Sequence, residues 1–415
     1  LRKRLTPDCL VANRVKRFAF FWAARTNRYM IRWENYLAAA EKIIVAYDGS
    51  LPLHHFLKGF FKQHPYMGSR DRRQISQLVY QYYRLGNLWK GVKSTSARIL
   101  MGNFLCEQEG NELLRFFHPE LNDKVALRVE EKLSFLGHED VTDIFPFTDQ
   151  LSAGINDSAF CRSFFTQPHL FIRTRNNKQF SILRLLEKAE VTFEVLGEDA
   201  IALPNSTKID AIITDKSWYE IQDASSQKVG ALFNAQAGEQ WWDSCAASGG
   251  KSILLLDKQP AVKLLVSDVR ASIIQNLHQR FKEAGIRHYE SVVMDLTAPV
   301  SLSVIKDRRF DHIILDAPCS GSGTWGRTPE SLSFFCEQQI AEYQQLQKKI
   351  GSNVVQLLKP GGTLTYITCS VFRQENEDVV AFLEKESGLQ QMEGGVIAGY
   401  EQRADSMFAV KMLKK

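Results

Sequence analysis

Apolar residues recur at helical spacing in the first third of the chain. Trp33, Tyr36, Leu37, Ala40, Ile44 and Tyr47 fall on one face, which predicts an amphipathic helix closed by Gly49. Pro52 restarts the chain, and Leu53, Phe56, Leu57 and Phe60 predict a second helix. In GSRDRRQISQLVYQYYRLGN, Ser69 is the expected N-cap with Asp71 in the first turn. Ile75, Leu78, Val79, Tyr82 and Leu85 form its buried stripe, and further helical stretches run to about 140. Near 148 the pattern changes. Short strands are predicted at 169–173, 191–196, 200–203 and 218–222, with a helix at 178–189. After 230, β and α alternate. Strands are predicted at 240–243, 262–268, 289–295, 310–316 and 363–369, with helices after 268 and over about 331–358. The expected division is a basic extension 1–29, a helical domain 30–147, a small α+β subdomain 148–228 and an α/β domain 229–415.

Composition narrows the class. No apolar run approaches membrane-spanning length. Seven cysteines without a C-x-x-C pair indicate neither a disulfide framework nor a metal site, and fit a reducing cytoplasm. The net charge of +5 comes wholly from residues 1–29, which hold eight Lys/Arg against one Asp. The apolar run Phe18–Ala24 is at the minimum for a signal core and lacks a convincing cleavage site. Residues 1–29 are therefore expected to lie outside the fold, with Met30 a candidate start. Affinity for nucleic acid must then come from local patches. Arg70, Arg72 and Arg73 form one candidate, and Arg173, Arg175 and Lys178 another. Solvated surface charge is the alternative at both.

The chemistry gathers where strands end. Asp268, Asp295 and Asp316 close three successive predicted strands, at the sheet edge where open α/β folds bind ligands. The first strand turns through Cys245-Ala246-Ala247-Ser248-Gly249-Gly250-Lys251, small enough for a ligand to approach the backbone. Gly250-Lys251-Ser252 ends like a phosphate-binding P-loop, but Cys245 stands where that loop needs glycine. The dinucleotide fingerprint is also absent. S-adenosylmethionine accounts for more: its ribose diol suits Asp268, its adenine amino group Asp295, and its sulfonium end the glycine turn. Cys319, in Ala317-Pro318-Cys319, and Cys369, in Thr368-Cys369-Ser370, each follow a buried strand. Carbon 5 of a pyrimidine is methylated only after a thiolate adds at C6. Two thiols suit an adding and a releasing role, and two packed core cysteines are the bland alternative.

DSCAASGGK, LDAPCSGSGTWGRTPE and KPGGTLTYITCSVFRQENEDVV resemble the Sun/NSUN family of RNA cytosine-C5 methyltransferases, nearest its bacterial 16S rRNA branch. The likeness covers roughly 165–415, and the helical region with GSRDRR more weakly resembles that branch's NusB-like RNA-binding domain. It implies an S-adenosylmethionine-dependent, Rossmann-like domain acting on RNA, with neither metal nor membrane involved. Cys369 would be the nucleophile and Cys319 the releasing thiol. Asp316 would hold the cytosine edge and face the cofactor, which residues 245–251, Asp268 and Asp295 would bind. Ser248 stands where the family usually has proline, which would loosen the turn, and Asp405-Ser-Met-Phe408 replaces DGFF. The rivals are a nucleotide hydrolase and a non-catalytic ribosome-assembly factor. A DNA cytosine methyltransferase places its nucleophile in the Pro-Cys turn and lacks the Thr-Cys-Ser strand.

Overall fold

The computed structural model describes residues 32–298 and 303–415. The 1–29 extension and its expected place outside the fold lie beyond the described residues. The chain divides between Ile144 and Phe145 into two compact units, three residues before the expected 147/148.

The described part of the first unit is helical. Residues 32–46 form one helix, followed by Leu53–Gln63, Ser69–Arg84 and Thr95–Cys106, then shorter turns of helix. Their apolar faces meet in one core containing Trp33, Ile43, Leu57, Phe61, Ile75, Val79 and Ile99. Two local expectations shift. Gly68, not Ser69, is the N-cap, and the Asp71 carboxylate reaches back to accept from its N–H at 2.9 Å. Tyr83 rather than Tyr82 is the fully buried tyrosine. Tyr82 instead accepts from Arg98 Nη1 at 2.8 Å, its ring under the same guanidinium.

The second unit holds two sheets. The smaller is antiparallel: β1 (Leu170–Thr174), β2 (Glu194–Val195), β3 (Ala200–Leu203) and β4 (Tyr219–Ile221), in the order β2-β3-β1-β4. Helix Gln179–Lys188 covers it, packing Ile182 and Leu186 on Ile172, Ile201 and Leu203. The larger sheet comprises β5 (Gln240–Asp243), β6 (Lys263–Asp268), β7 (Glu290–Val293), β8 (Phe310–Asp316), β9 (Leu358–Thr368), β10 (Leu389–Ile397) and β11 (Met407–Lys414). Its order is β10-β11-β9-β8-β5-β6-β7, with β5 to β9 parallel and the last two strands antiparallel at one edge. Both faces are covered, so the central strands read as apolar runs. Trp242, Ile313, Leu315 and Leu364 face one core, and Trp241, Ile314, Val266 and Ile367 the other.

Two expectations are corrected here, and one element is new. β7 stops at Val293, so Asp295 lies two residues past the strand. The long helix is broken at residues 335–337 into Glu330–Phe334 and Gln338–Val355. The β10–β11 hairpin is absent from the sequence reading. Among the described residues no helix is long and apolar enough to cross a membrane.

Candidate active site

β5 lies between β6 and β8, so the chain leaves its carboxyl end in opposite directions for its two neighbours. Such a switch point opens a crevice beyond the strand ends. The turn after β5 fills one side of it. The Ala246 N–H bonds Ser267 O at 2.8 Å, and the Ala247 N–H donates to Asp268 Oδ2 at 3.2 Å, which hangs the turn on β6. Gly249 then takes φ +86° and starts helix Gly250–Lys258. A side chain there would be strained, and its Cβ would sit 2.4 Å from Phe281 Cε1. Ser248 is not loose: Arg280 Nη1 donates to its hydroxyl at 2.8 Å, and Arg280 Nη2 is anchored on Glu220 of β4 at 2.7 Å.

The three acids differ in environment. Asp268 is buried, and its oxygens accept from the N–H groups of Ala247 and Arg270 and from the Arg270 guanidinium. Asp295 is exposed in a turn of its own, where Oδ1 accepts from Thr297 N and Oγ1 at 2.8 and 2.7 Å. Those two bonds hold its carboxyl below the usual range. Asp316 pairs with Lys251 Nζ at 2.8 Å, tying the glycine turn to the end of β8. Lys251 is thus engaged by a carboxylate, and Cys245 fills the position where a P-loop needs glycine. Both count against the nucleotide-hydrolase alternative.

Cys319 and Cys369 leave the adjacent strands β8 and β9, which run parallel with Asp316 beside Ile367. Their sulfurs meet at 3.2 Å. Bonds around both turns support this approach. Gly323 N donates to Cys369 O at 2.9 Å, and a Cβ on Gly323 would lie 1.9 Å from Ser406 O, so only glycine fits. Asn376 Nδ2 bonds Ser370 O, while its Oδ1 accepts from Thr368 Oγ1. The Cys319 thiol is pushed well above its usual range, first by its contact with Cys369, then by burial and by the negative charges of Cys369 and Glu375.

The structure therefore gathers residues 245–251, Asp268, Asp316, Cys319 and Cys369 at one sheet edge, with Asp295 on a turn just past β7. It takes Arg173 and Arg175 out of the running as phosphate ligands or surface charge. Both are buried, and both grip Asp257, at 2.6 and 2.8 Å. Arg70 and Arg73 stay exposed.

Four groups of this site carry no assigned role in the sequence. Asp243, at the end of β5, is fully buried; Ser252 Oγ donates to its Oδ2 at 2.6 Å while Oδ1 has no partner. Burial pushes its carboxyl up to about 7. Arg327 binds Asp223 at 2.6 Å, Asp405 at 2.8 Å and the His169 carbonyl at 2.8 Å, joining the cysteine loop to β1 and the C-terminal hairpin. Burial and the neighbouring Asp223 push Asp405 up to about 7 against the pull of Arg327. The fourth is Glu375, buried behind both cysteine turns. Asp243 alone had a signal, since its strand too ends in an acid.

Residues 231–412 match the family described as 16S rRNA methyltransferase RsmB/F. Ribosomal RNA small subunit methyltransferase B of Salmonella arizonae is 33% identical over 226 residues, 52% of this chain and 52% of that protein. The chain thus spans about half the length of that curated relative. The solved structure of PH0851 superposes with a TM-score of 0.67 at 20% identity, covering 91% of this chain and 97% of that one. NSun6 from Pyrococcus horikoshii, solved with SFG, gives 0.52 at 14% identity, covering 60% and 91%. At such identities these two likenesses speak to the fold.

Proposed function

We propose that this chain, whose residues 231–412 match the RsmB/F family of 16S rRNA methyltransferases, methylates carbon 5 of a cytosine in RNA, with 16S rRNA the substrate and S-adenosylmethionine the methyl donor. The observation that carries the reading is the pair of sulfurs 3.2 Å apart, at the ends of neighbouring strands beside Asp316.

The crevice suits the cofactor. Gly249 and Gly250 present backbone at a helix start, a ready site for the anionic amino-acid end. The Asp268 carboxylate is held by two backbone N–H groups and by Arg270, whose side chain is 58% exposed and free to yield to a ribose diol. Asp295 keeps one carboxylate oxygen for the adenine amino group, and Asp243 holds an unpartnered oxygen beneath the turn. When bound, S-adenosylmethionine supplies an electrophilic methyl group.

The protein's own groups do the rest. At rest the Cys319 and Cys369 sulfurs are in contact at 3.2 Å, and either thiol can donate to the other. The Cys369 thiolate adds to C6 of the cytosine, the C5–C6 π pair moves to C5, and C5 takes the methyl group while keeping its hydrogen, with Asp316 steadying the base edge. Once Cys369 is bonded to carbon, that contact is gone. Cys319, its own proton lost to solvent, takes the proton from C5. The C5–H electron pair re-forms the C5–C6 double bond and expels Cys369 as thiolate. The helical domain 30–147, with Arg70 and Arg73 exposed, and the subdomain 148–228 are assigned to RNA contact in a cytoplasmic enzyme.

The test separates the thiols. Cys369→Ala should give neither methylation nor a covalent protein–RNA adduct. Cys319→Ala should add and methylate, then stall as a slow band on a denaturing gel. An adduct trapped by Cys369→Ala and lost in Cys319→Ala would exchange the roles. Full activity in both variants would sink the covalent mechanism.

A further inference from the structure

Two cysteines on separate strands do not come within 3.2 Å by strand pairing alone, because each sits past the last ladder bond on a turn. Something must fix one turn against the other. The residue after each cysteine supplies the handle. Ser320 offers its backbone N–H and Ser370 its hydroxyl, and both donate to the carboxylate of Glu375. Ser320 N lies 2.9 Å from Oε2 and Ser370 Oγ 2.7 Å from Oε1. Gln347 closes the frame from below: its Nε2 donates to Glu375 Oε2 at 2.9 Å and to Pro318 O at 3.0 Å. Glu375 is itself fixed, for its own carbonyl accepts from Tyr366 Oη at 2.6 Å. It has no exposure to solvent. A buried carboxylate with three donors is a rigid object, and one that spans two turns sets the distance between them.

We propose that Glu375 is the positioning residue that holds the two cysteines in register with each other. It touches neither base nor cofactor in this role, and acts through the turns that carry the sulfurs. The inference rests on the proposed two-thiol reaction for its catalytic meaning, but its geometric content stands apart from it. The carboxylate does two separable things. Its reach joins Ser320 to Ser370. Its charge, close to Cys319, opposes ionisation of that thiol and makes the thiolate a better base once formed.

Two substitutions in the full chain divide reach from charge. Glu375→Asp keeps the charge but is one methylene short of joining both turns. Glu375→Gln keeps the length but removes the charge, and turns an NH2 toward a donor. Alkylation of Cys319 by iodoacetamide, followed by peptide mass spectrometry across pH, needs no RNA and reads the surroundings of that thiol. Its midpoint should fall in both variants, through the lost charge in Glu375→Gln and through the loosened contact with Cys369 in Glu375→Asp. The rate at which diamide joins Cys319 to Cys369 as a disulfide reads the reach, and should fall at least several-fold in Glu375→Asp. With RNA, both variants should lose kcat on the order of a hundredfold at unchanged KM for S-adenosylmethionine. Alkylation profiles and diamide rates that superpose on wild type, in variants that melt at the wild-type temperature, would overturn the proposal. If either variant melts early, the profile is taken well below its melting point and reads the same way. Altered thiol chemistry without methylation in the wild type would leave Glu375 in place and fault the reaction instead.

Discussion

Asp257 is a small residue to carry two guanidiniums. Arg173 Nη1 meets its Oδ2 at 2.6 Å, and Arg175 Nε and Nη2 meet both its oxygens between 2.8 and 3.1 Å. The arginine side chains are 5% and 4% exposed and the aspartate 19%, so solvent screens this cluster little. Asp257→Asn keeps the shape and removes the charge, which leaves two buried cations facing an amide. Breaking a buried pair from one side costs roughly 3–5 kcal/mol. Gln222 Oε1 and the carbonyls of Ala284 and Ser217 still accept from the two arginines, which places the loss at the lower end. A loss of about 3 kcal/mol is on the order of a hundredfold in the opening equilibrium. The cluster joins β1 to helix Gly250–Lys258, so the loosening should be local to those two elements. Hydrogen exchange read peptide by peptide is the right assay, because a chain of two units has no single unfolding free energy. Glu290→Gln is the control: its pair with Arg308 is 64% and 42% exposed, and such pairs contribute about 0–1 kcal/mol. Wild-type exchange in Asp257→Asn, together with tighter RNA binding, would refute the clamp and return Arg173 and Arg175 to the phosphate-binding role.

Asp268→Ala should weaken S-adenosylmethionine binding by roughly 1.5–3 kcal/mol, tenfold to more than a hundredfold in affinity; an unchanged calorimetric Kd would contradict the assigned ribose contact. Gly249→Ala should destabilise the glycine turn by roughly 2–4 kcal/mol, from the left-handed backbone and the contact with Phe281 together; a wild-type urea midpoint and cofactor affinity would show that the turn can relax. Burial raises the Asp243 carboxyl from 3.8 to about 7 in the folded chain. A raised carboxyl means the fold binds the proton more tightly than the unfolded chain, so stability falls as pH rises from about 4 to 7 and is level above. Asp243→Asn should therefore gain stability over wild type at pH 8 and less at pH 5; an equal difference at both would remove Asp243 from the pH dependence.

Several elements of this protein are legible in residues close together in the chain. The helical stripes from Trp33 onward, the apolar run Phe310–Asp316 and the small-residue turn 245–251 each declare themselves within a window of one element. Periodicity and turn chemistry are local, and the resemblance carried by the two cysteine motifs is local too. Strand order is not. Nothing near Leu389–Ile397 announces a strand, because it is an edge strand with mostly exposed residues that gains its order only by pairing with β11. Arg173 and Arg175 read as free cations until the fold brings Asp257, more than 80 residues away, against them. Asp295 reads as a strand end, yet the side-chain bonds to Thr297 two residues on favour a turn. The 3.2 Å between the sulfurs and the carboxylate that spans their turns depend on β8 lying beside β9 and on Glu375 returning beneath both. Those are choices of long-range pairing. They are settled by which faces bury together and which buried polar groups find partners, and no short stretch of sequence contains both halves of such a pair.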